Sequence, residues 1–222
     1  MKIAIMQPYF FPYIGYFQLI KAVDYFVIYD DVNYIKRGWV NKNKIWQHGQ
    51  ITNITLPVQK SSQNRKINQH LRTTDKYRLD KIKRKVQHCY ARAPFFEQLY
   101  PLITRLIDYD ELNLAKYLTH SLKEISAYLS LNTRFIDASD LSDHAQWDNA
   151  EQRIIDITRQ LGGTEYYNLP GGKALYHQEM FNQAGIELRF ISPDFSRLNP
   201  VNRQDQRDCL SIIDVLMYTQ SI

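Results

Sequence analysis

The sequence has few of the features that define membrane, zinc-binding or disulfide-rich proteins. Its 222 residues include two cysteines, Cys89 and Cys209, and their wide separation indicates two half-buried thiols rather than a disulfide framework. The six histidines are scattered singly and no cysteine–histidine spacing is typical of zinc, so we predict no metal site. No run of about 18 apolar residues is present, so we predict no membrane insertion.

A secretory leader is also missing from the expected place. The first apolar run, 2–6, is too short for a signal-peptide core, Gln7-Pro8 ends it, and no small-residue cleavage site follows. We therefore predict a cytoplasmic protein. Apolar residues make up 44% of the chain and charged residues 23%, which is enough apolar surface for a sizeable core, and we expect one domain spanning 1–222.

The charge is small in total but uneven in its distribution. The formal net charge is +5, and lysine and arginine concentrate in 36–44 and 65–92. A basic half of this kind is typical of binding to nucleic acid, to an anionic membrane surface or to a phosphorylated small substrate. For 76–92 the simplest interpretation is a solvated helix face, and docking of an acidic partner such as tRNA is the alternative. The 16 tyrosines add flat faces that suit a sugar or a nucleobase.

Short apolar segments alternate with helical periodicity at both ends of the chain, which is typical of an α/β fold with a mainly parallel, Rossmann-like sheet flanked by helices. Between them, 75–131 is predicted as a helical insertion or subdomain. Strands are predicted at 2–6, 24–29, 50–58, 133–137, 164–168 and 186–191. Helices are predicted at 13–22, 74–92, 95–108, 112–129, 149–161, 172–184 and 208–219.

The first candidate site segment runs from Gln7 to Tyr16. It follows the first predicted strand, and ligands of open α/β sheets bind outside the carboxyl ends of the strands. Two prolines stiffen it, Gly15 permits close approach of backbone or ligand, and the following helix N-terminus offers free N–H groups to a phosphate. A rigid aromatic turn that only packs is the alternative. We predict that Gln7, Tyr13, Gly15 and Tyr16 bind substrate.

This segment is also similar in position to the phosphate-binding motif of the nucleotidylyltransferase and class I synthetase superfamily. Those folds place a histidine-glycine-histidine motif at the start of the first helix to hold ATP phosphates. Here Tyr13-Ile14-Gly15-Tyr16 stands in the comparable place, with tyrosines for both histidines. An ATP-binding enzyme without the histidine chemistry therefore stays open.

The second candidate segment is 30–44. Paired carboxylates at a strand tip suit general-base work, metal binding or contacts to sugar hydroxyls, and we predict that Asp30 and Asp31 are catalytic. If the two side chains alternate across the strand, one of them faces the site. Within fifteen residues the segment also has two cations that could hold phosphate, Lys36 and Arg37, a stacking face and an amide. This combination is typical of a nucleotide-sugar pocket. A polar loop with self-compensating charges is the alternative. The predicted substrate-binding residues of this segment are Lys36, Arg37, Trp39, Asn41 and Lys42.

Two further segments have weaker patterns. Gly171-Gly172 stands between a predicted strand and a helix, where backbone N–H groups can hold an anion, although the ending of a P-loop is missing. We predict that Gly171, Gly172 and Tyr176 bind substrate, and a tight connection is the alternative. Arg203 and Arg207 precede the last helix and could close over a phosphate, or belong to a solvated loop and helix cap.

Three motifs of the sequence resemble the WbqC-like family, and the ending 210–214 also looks like that family's, so the resemblance covers nearly the full chain. The first two motifs are specific and show no clear departure from the family pattern. The three motifs are Met6-Gln7-Pro8-Tyr9-Phe10-Phe11-Pro12-Tyr13-Ile14-Gly15-Tyr16-Phe17, then Asp30-Asp31-Val32-Asn33-Tyr34 with Lys36-Arg37-Gly38-Trp39-Val40-Asn41-Lys42-Asn43, and Asn168-Leu169-Pro170-Gly171-Gly172 with Leu175-Tyr176, Phe181 and Gly185-Ile186.

The resemblance implies a role in surface-polysaccharide biosynthesis, since the family is similar to proteins encoded in O-antigen gene clusters, and a glycine-transferase role has been suggested for it. The expected function is transfer of an acyl group, glycyl for example, to an amino group of a nucleotide-linked sugar. The acyl donor would be an ATP-derived adenylate or aminoacyl-tRNA. A non-catalytic binding or scaffold protein of the same pathway and a nucleotidylyltransferase-like enzyme are the alternatives.

Overall fold

The computed structural model describes residues 1–47, 49–141, 149–196 and 210–222. Five of the described strands form one parallel sheet in the order β5-β2-β1-β6-β7, and β3 and β4 form a separate antiparallel hairpin. The predicted α/β fold with a parallel, Rossmann-like sheet is thus confirmed. The strands are β1 (Lys2–Met6), β2 (Tyr25–Ile28), β3 (Lys42–Gln47), β4 (Gln50–Thr55), β5 (Arg134–Asp137), β6 (Glu165–Asn168) and β7 (Glu187–Phe190).

The helices begin at polar caps in several places. Asp75, Asn113 and Asn149 each accept a hydrogen bond from a backbone N–H three residues later, which satisfies a free donor of the first turn. The α-helices in the described residues are α1 (Ile14–Ala22), α2 (Lys76–Tyr90), α3 (Phe96–Asp108), α4 (Leu114–Tyr128), α5 (Ala138–Leu141), α6 (Ala150–Gln160), α7 (Gln178–Gln183) and α8 (Ile212–Leu216). Two 3-10 turns cover Ile67–Gln69 and Pro170–Leu175.

Both faces of the sheet are covered, because alternate residues of the three inner strands, β2, β1 and β6, belong to different buried clusters. In β1, Ala4 packs in the cluster that contains α1 and α8, whereas Ile3 and Ile5 pack in the cluster that contains α6 and α7. A parallel sheet buried on both sides presents its strand ends as its accessible polar edge.

The helices α2, α3 and α4 lie between β4 and β5 in the chain. Their buried residues, among them Val86, Ile103 and Leu118, belong to the same cluster as those of α1. The division of the chain into a domain and an insertion at 75–131 stays a prediction.

Three predicted elements differ from the observed ones. The strand at 50–58 is β4, which pairs with β3 in the hairpin, and the predictions missed β3 because its sequence is polar and basic. The predicted helix at 172–184 is divided into a 3-10 turn and α7, since the backbone is extended at Tyr176 and His177. The last helix starts at Ile212 after the cap Ser211, and the predicted start at 208 lies outside the described residues.

Within the described ranges, every helix is too short or too polar to cross a membrane.

Substituting Gly163 should test the packing of α6 against β1. A Cβ atom at Gly163 would lie 2.5 Å from Cγ1 of Ile3 and 2.9 Å from the carbonyl oxygen of Thr158. Because the backbone oxygen cannot rotate away, we expect Gly163→Ala to lower the free energy of unfolding by about 1–3 kcal/mol in urea titrations. Gly171→Ala is the matched control, since a Cβ there meets nothing within 4 Å. An equal loss in both variants would contradict the packing.

Candidate functional site

A cleft with a volume of about 540 Å³ opens at the carboxyl edge of the parallel sheet. Its size falls in the range of small-molecule sites. Three strand ends contribute to it: β1 through Gln7, β2 through Tyr29 and β6 through Asn168. The other lining residues come from the turn after β1, the 30–44 segment, the start of α6 and the glycine turn after β6. They are Tyr9, Tyr13, Trp39, Ala150, Ile154, Leu169, Gly171, Gly172, Leu175 and Tyr176, with Ile5 and Met6 at the floor.

The turn that follows β1 is held in an unusual conformation by buried donors. Phe11 has a φ of 44°, a left-handed conformation that is costly for a bulky residue. Its carbonyl accepts hydrogen bonds from Nδ2 of Asn43 at 2.7 Å and from Oγ of Ser211 at 2.8 Å. The N–H of Phe10 donates to the carbonyl of Trp39 at 3.0 Å. The 30–44 segment and the cap of α8 therefore fix the shape of this wall of the cleft.

Aromatic side chains form the wall itself. The ring of Trp39 lies 5.2 Å from that of Tyr13 and 5.9 Å from that of Tyr9, centroid to centroid. Trp39 is 38% exposed, so part of its face is open to a ligand. Burial raises the pKa of the Tyr9 phenol, which keeps it a neutral hydrogen-bonding group. Tyr16, predicted to bind substrate, is fully buried beneath this wall and donates to the carbonyl of Gln7 at 2.8 Å.

Gln7 places an unsatisfied acceptor in the cleft. It follows directly after β1, and its Oε1 atom is buried without a hydrogen-bond partner among the described residues. A buried amide oxygen without a donor costs free energy. A ligand hydroxyl or N–H group in the cleft would satisfy it.

The opposite wall is a hydrogen-bonded group of tyrosines around Asn168. Nδ2 of Asn168 donates to the hydroxyl of Tyr166 at 3.0 Å and to that of Tyr176 at 3.3 Å. Burial raises the pKa of the Tyr176 phenol. A Cβ atom at Gly172 would lie 3.0 Å from Nδ2 of Asn168, so glycine permits the close approach of this amide. Gly171 is open, with no atom near its Cβ position.

Asp30 and Asp31 lie outside the cleft lining. The carboxylate of Asp30 accepts from Nδ2 of Asn68 at 3.0 Å and from both the N–H and Oγ of Ser139, at 3.0 and 2.7 Å. Asp31 forms a buried ion pair with Nη2 of Arg153 at 2.5 and 2.6 Å. The guanidinium of Arg153 lies 4.7 Å from the centroid of the Tyr29 ring. Through Arg153, Asp31 contacts α6, which lines the cleft, whereas Asp30 contacts the 3-10 turn at Ile67–Gln69 and α5, which do not line it. The catalytic role of both carboxylates stays a prediction.

The other predicted residues of 30–44 have separate positions. Asn41 is used within the protein, since Oδ1 accepts from the hydroxyl of Tyr34 and Nδ2 donates to the carbonyl of Leu56. Lys36 is exposed and lines neither the cleft nor the neighbouring small pocket. Arg37 and Lys42 line that small pocket.

The structure thus brings six of the predicted residues into one cleft: Gln7, Tyr13, Trp39, Gly171, Gly172 and Tyr176. Gly15 lies behind it, where its missing Cβ leaves room for Tyr13 and Pro193. The sequence predictions did not select Tyr9, Tyr29 or Asn168. The signal for Tyr29 and Asn168 was present, because each stands at the carboxyl end of a predicted strand. Arg203 and Arg207 lie outside the described residues.

The fold and the cleft define an α/β protein with an uncharged, largely aromatic cleft at the carboxyl edge of a parallel sheet. The sequence profile of the WbqC-like protein family matches residues 7–221, and the chain belongs to this family. An uncharacterized protein of Mycobacterium tuberculosis, Rv1507c, is 29% identical over 197 residues, which cover 87% of this chain and 83% of that protein. No solved structure matches the chain.

Substituting Arg153 should measure how strongly the Asp31 pair supports the site. The side chains of Arg153 and Asp31 are 11% and 9% exposed, so Arg153→Met leaves a buried carboxylate without its cation. We expect a loss of about 3–5 kcal/mol in the free energy of unfolding. Arg105→Met removes a surface ion pair with Glu124, where the side chains are 66% and 37% exposed, and should cost at most about 1 kcal/mol. If both variants lost a similar free energy of unfolding in urea titrations, the buried Asp31–Arg153 pair would not be the stronger stabilising contact.

Proposed function

We propose that the protein is a transferase of surface-polysaccharide (O-antigen) biosynthesis, which binds a nucleotide-linked amino sugar in the cleft and acylates the sugar's amino group, with glycine as one candidate acyl group. The observation that carries the proposal is the neutral aromatic cleft lined by Gln7, whose buried Oε1 atom has no hydrogen-bond partner among the described residues. Family membership supports the pathway.

The chemistry of the lining favours a sugar over an anion in the cleft. None of the described lining residues carries a charged side chain. Tyr9, Tyr13 and Trp39 offer flat faces with polar edges, which suit the faces and hydroxyls of a pyranose ring. Gln7 Oε1 can accept one N–H of the sugar amine and so fix the direction of its lone pair.

The proposed step is attack of this amine on the acyl carbon of an activated donor. The new C–N bond forms as the bond to the leaving group breaks, and the leaving oxygen departs with the electron pair. In an adenylate that oxygen belongs to the phosphate, and in aminoacyl-tRNA it belongs to the terminal ribose. The amine proton passes to the leaving oxygen or to water. We propose positioning roles for Asp30 and Asp31, because a proton acceptor must reach the reacting group and both carboxylates are bonded to neighbouring elements.

The direct test is incubation with nucleotide-linked amino sugars, glycine and ATP, with and without charged tRNA. We expect the sugar nucleotide to gain the mass of one glycyl group in one of these mixtures, as detected by mass spectrometry. The absence of an added mass in all of them would sink glycyl transfer, and replacing glycine by other amino acids would then test the wider acyl-transfer proposal.

Gln7→Met should separate ligand binding from stability. Methionine is close in shape and removes the unsatisfied acceptor, so we expect an unchanged or higher free energy of unfolding and about tenfold weaker binding of the amino sugar by calorimetry. Gln18→Met is the matched control. Both ends of the Gln18 amide are bonded to the backbone of Asp194 at 2.9 Å, so its loss should lower stability and leave binding unchanged. Equal binding by both variants would exclude Gln7 from the site.

A scaffold role is favoured by one specific observation. The helix α2 exposes Lys76, Arg78, Lys81 and Arg84 along its length, as a surface for an acidic partner would. Neutralising Lys81 and Arg84 should then abolish function in cells while Gln7→Met does not. Under the transferase proposal, Gln7→Met abolishes function in cells and neutralising Lys81 and Arg84 does not.

A further inference from the structure

A second, smaller pocket adjoins the sugar cleft and shares Trp39 with it. It has a volume of about 110 Å³ and is lined by Arg37, Gly38, Trp39, Lys42, Asn43, Lys44 and Asn53. Because Trp39 lines both spaces, a single ligand can contact both. The small pocket differs from the cleft in charge, since its described lining has three cations and no carboxylate.

Two of these cations, Arg37 and Lys42, carry the argument. No ion pair joins Arg37 or Lys42 to a carboxylate within the described residues. Like charges that share one concavity repel each other and raise the local affinity for an anion. The pocket's volume is that of roughly three to four water molecules in the liquid. It can therefore hold one compact group, such as a phosphate.

The backbone of Arg37 gives independent support. Its φ is 61°, a left-handed conformation that glycine adopts without cost and arginine does not. Strained residues of this kind cluster at ligand sites. The left-handed conformation of an arginine that lines the pocket therefore supports a role for its guanidinium in ligand binding.

We propose that the small pocket binds a phosphate group of the substrate whose sugar occupies the cleft, with Trp39 between the two. This inference rests on the proposed function. It adds the orientation of the bound substrate, with its sugar in the cleft and its phosphate in the small pocket. Arg37 and Lys42 hold the anion, in place of the Lys36 and Arg37 pair expected from the sequence. Asn53, an exposed residue of β4 that also lines the pocket, adds an amide donor.

Calorimetric titration with uridine diphosphate tests the pocket. We expect the wild type to bind it, and Arg37→Gly and Lys42→Met each to bind about tenfold more weakly. Arg37→Gly is the sharper variant, because glycine removes the strained φ and should leave the melting temperature unchanged or raised. The control is Lys81→Met with Arg84→Met, which removes two exposed charges of α2 and should leave binding unchanged. A wild type that does not bind the diphosphate, or variants that bind it as the wild type does, would overturn the inference.

The same proteins titrated with the amino sugar lacking phosphate separate the two proposals. If Gln7→Met weakens sugar binding, and the Arg37 and Lys42 variants weaken diphosphate binding but not sugar binding, both proposals are supported. If the sugar binds but removal of Arg37 or Lys42 leaves diphosphate binding intact, the phosphate pocket fails and the sugar cleft stands. If the diphosphate depends on these cations and the sugar does not bind at all, the cleft assignment fails and the phosphate pocket stands.

Discussion

The architecture of the site depends on the carbonyl of Phe11. A left-handed phenylalanine is unfavourable, and here it is stabilised because its carbonyl accepts hydrogen bonds from Asn43 in β3 and from Ser211 at the cap of α8. The backbone of Ser211 continues the contact by donating to the carbonyl of Lys44 at 2.8 Å, and Ile212 donates to that of Pro12 at 2.8 Å. The turn after β1, the hairpin and the end of the chain are thus joined at one point, and each ligand-facing side chain of the turn takes its position from it.

The contacts around the Phe11 carbonyl also account for the two different cavities that Trp39 lines, the neutral cleft and the small cationic pocket. The carbonyl of Trp39 accepts from Phe10, so the tryptophan is tied to the same turn, while the residues after it lead into the basic hairpin. The hairpin presents lysines from β3 beside the tryptophan. A neutral aromatic cleft and a cationic pocket are therefore placed side by side by one short segment.

Much of the fold could be predicted from the sequence, because buried parallel strands and amphipathic helices have periodicities that a single chain displays. The strand ends that line the cleft could be predicted from these periodicities. Gln7 and the glycine turn, for example, come directly after predicted strands. The positions of Asp30 and Asp31 could not be predicted, since their partners Ser139 and Arg153 lie 109 and 122 residues away. The hairpin was missed for a related reason: β3 is stabilised by pairing with β4 and by contacts to distant segments, not by its own composition.

The position of the two aspartates has a chemical consequence for the proposed reaction. An amine attacks an acyl group only in its neutral form, and a nearby carboxylate stabilises the charged ammonium form. In the described structure both carboxylates are held outside the cleft, Asp30 by hydrogen bonds and Asp31 by Arg153, and the lining is aromatic and amide. Such surroundings lower the pKa of a bound amine by desolvation and favour its nucleophilic form. The aspartates would then serve acyl transfer by supporting the walls of the cleft from outside it, where their charge does not stabilise the protonated substrate.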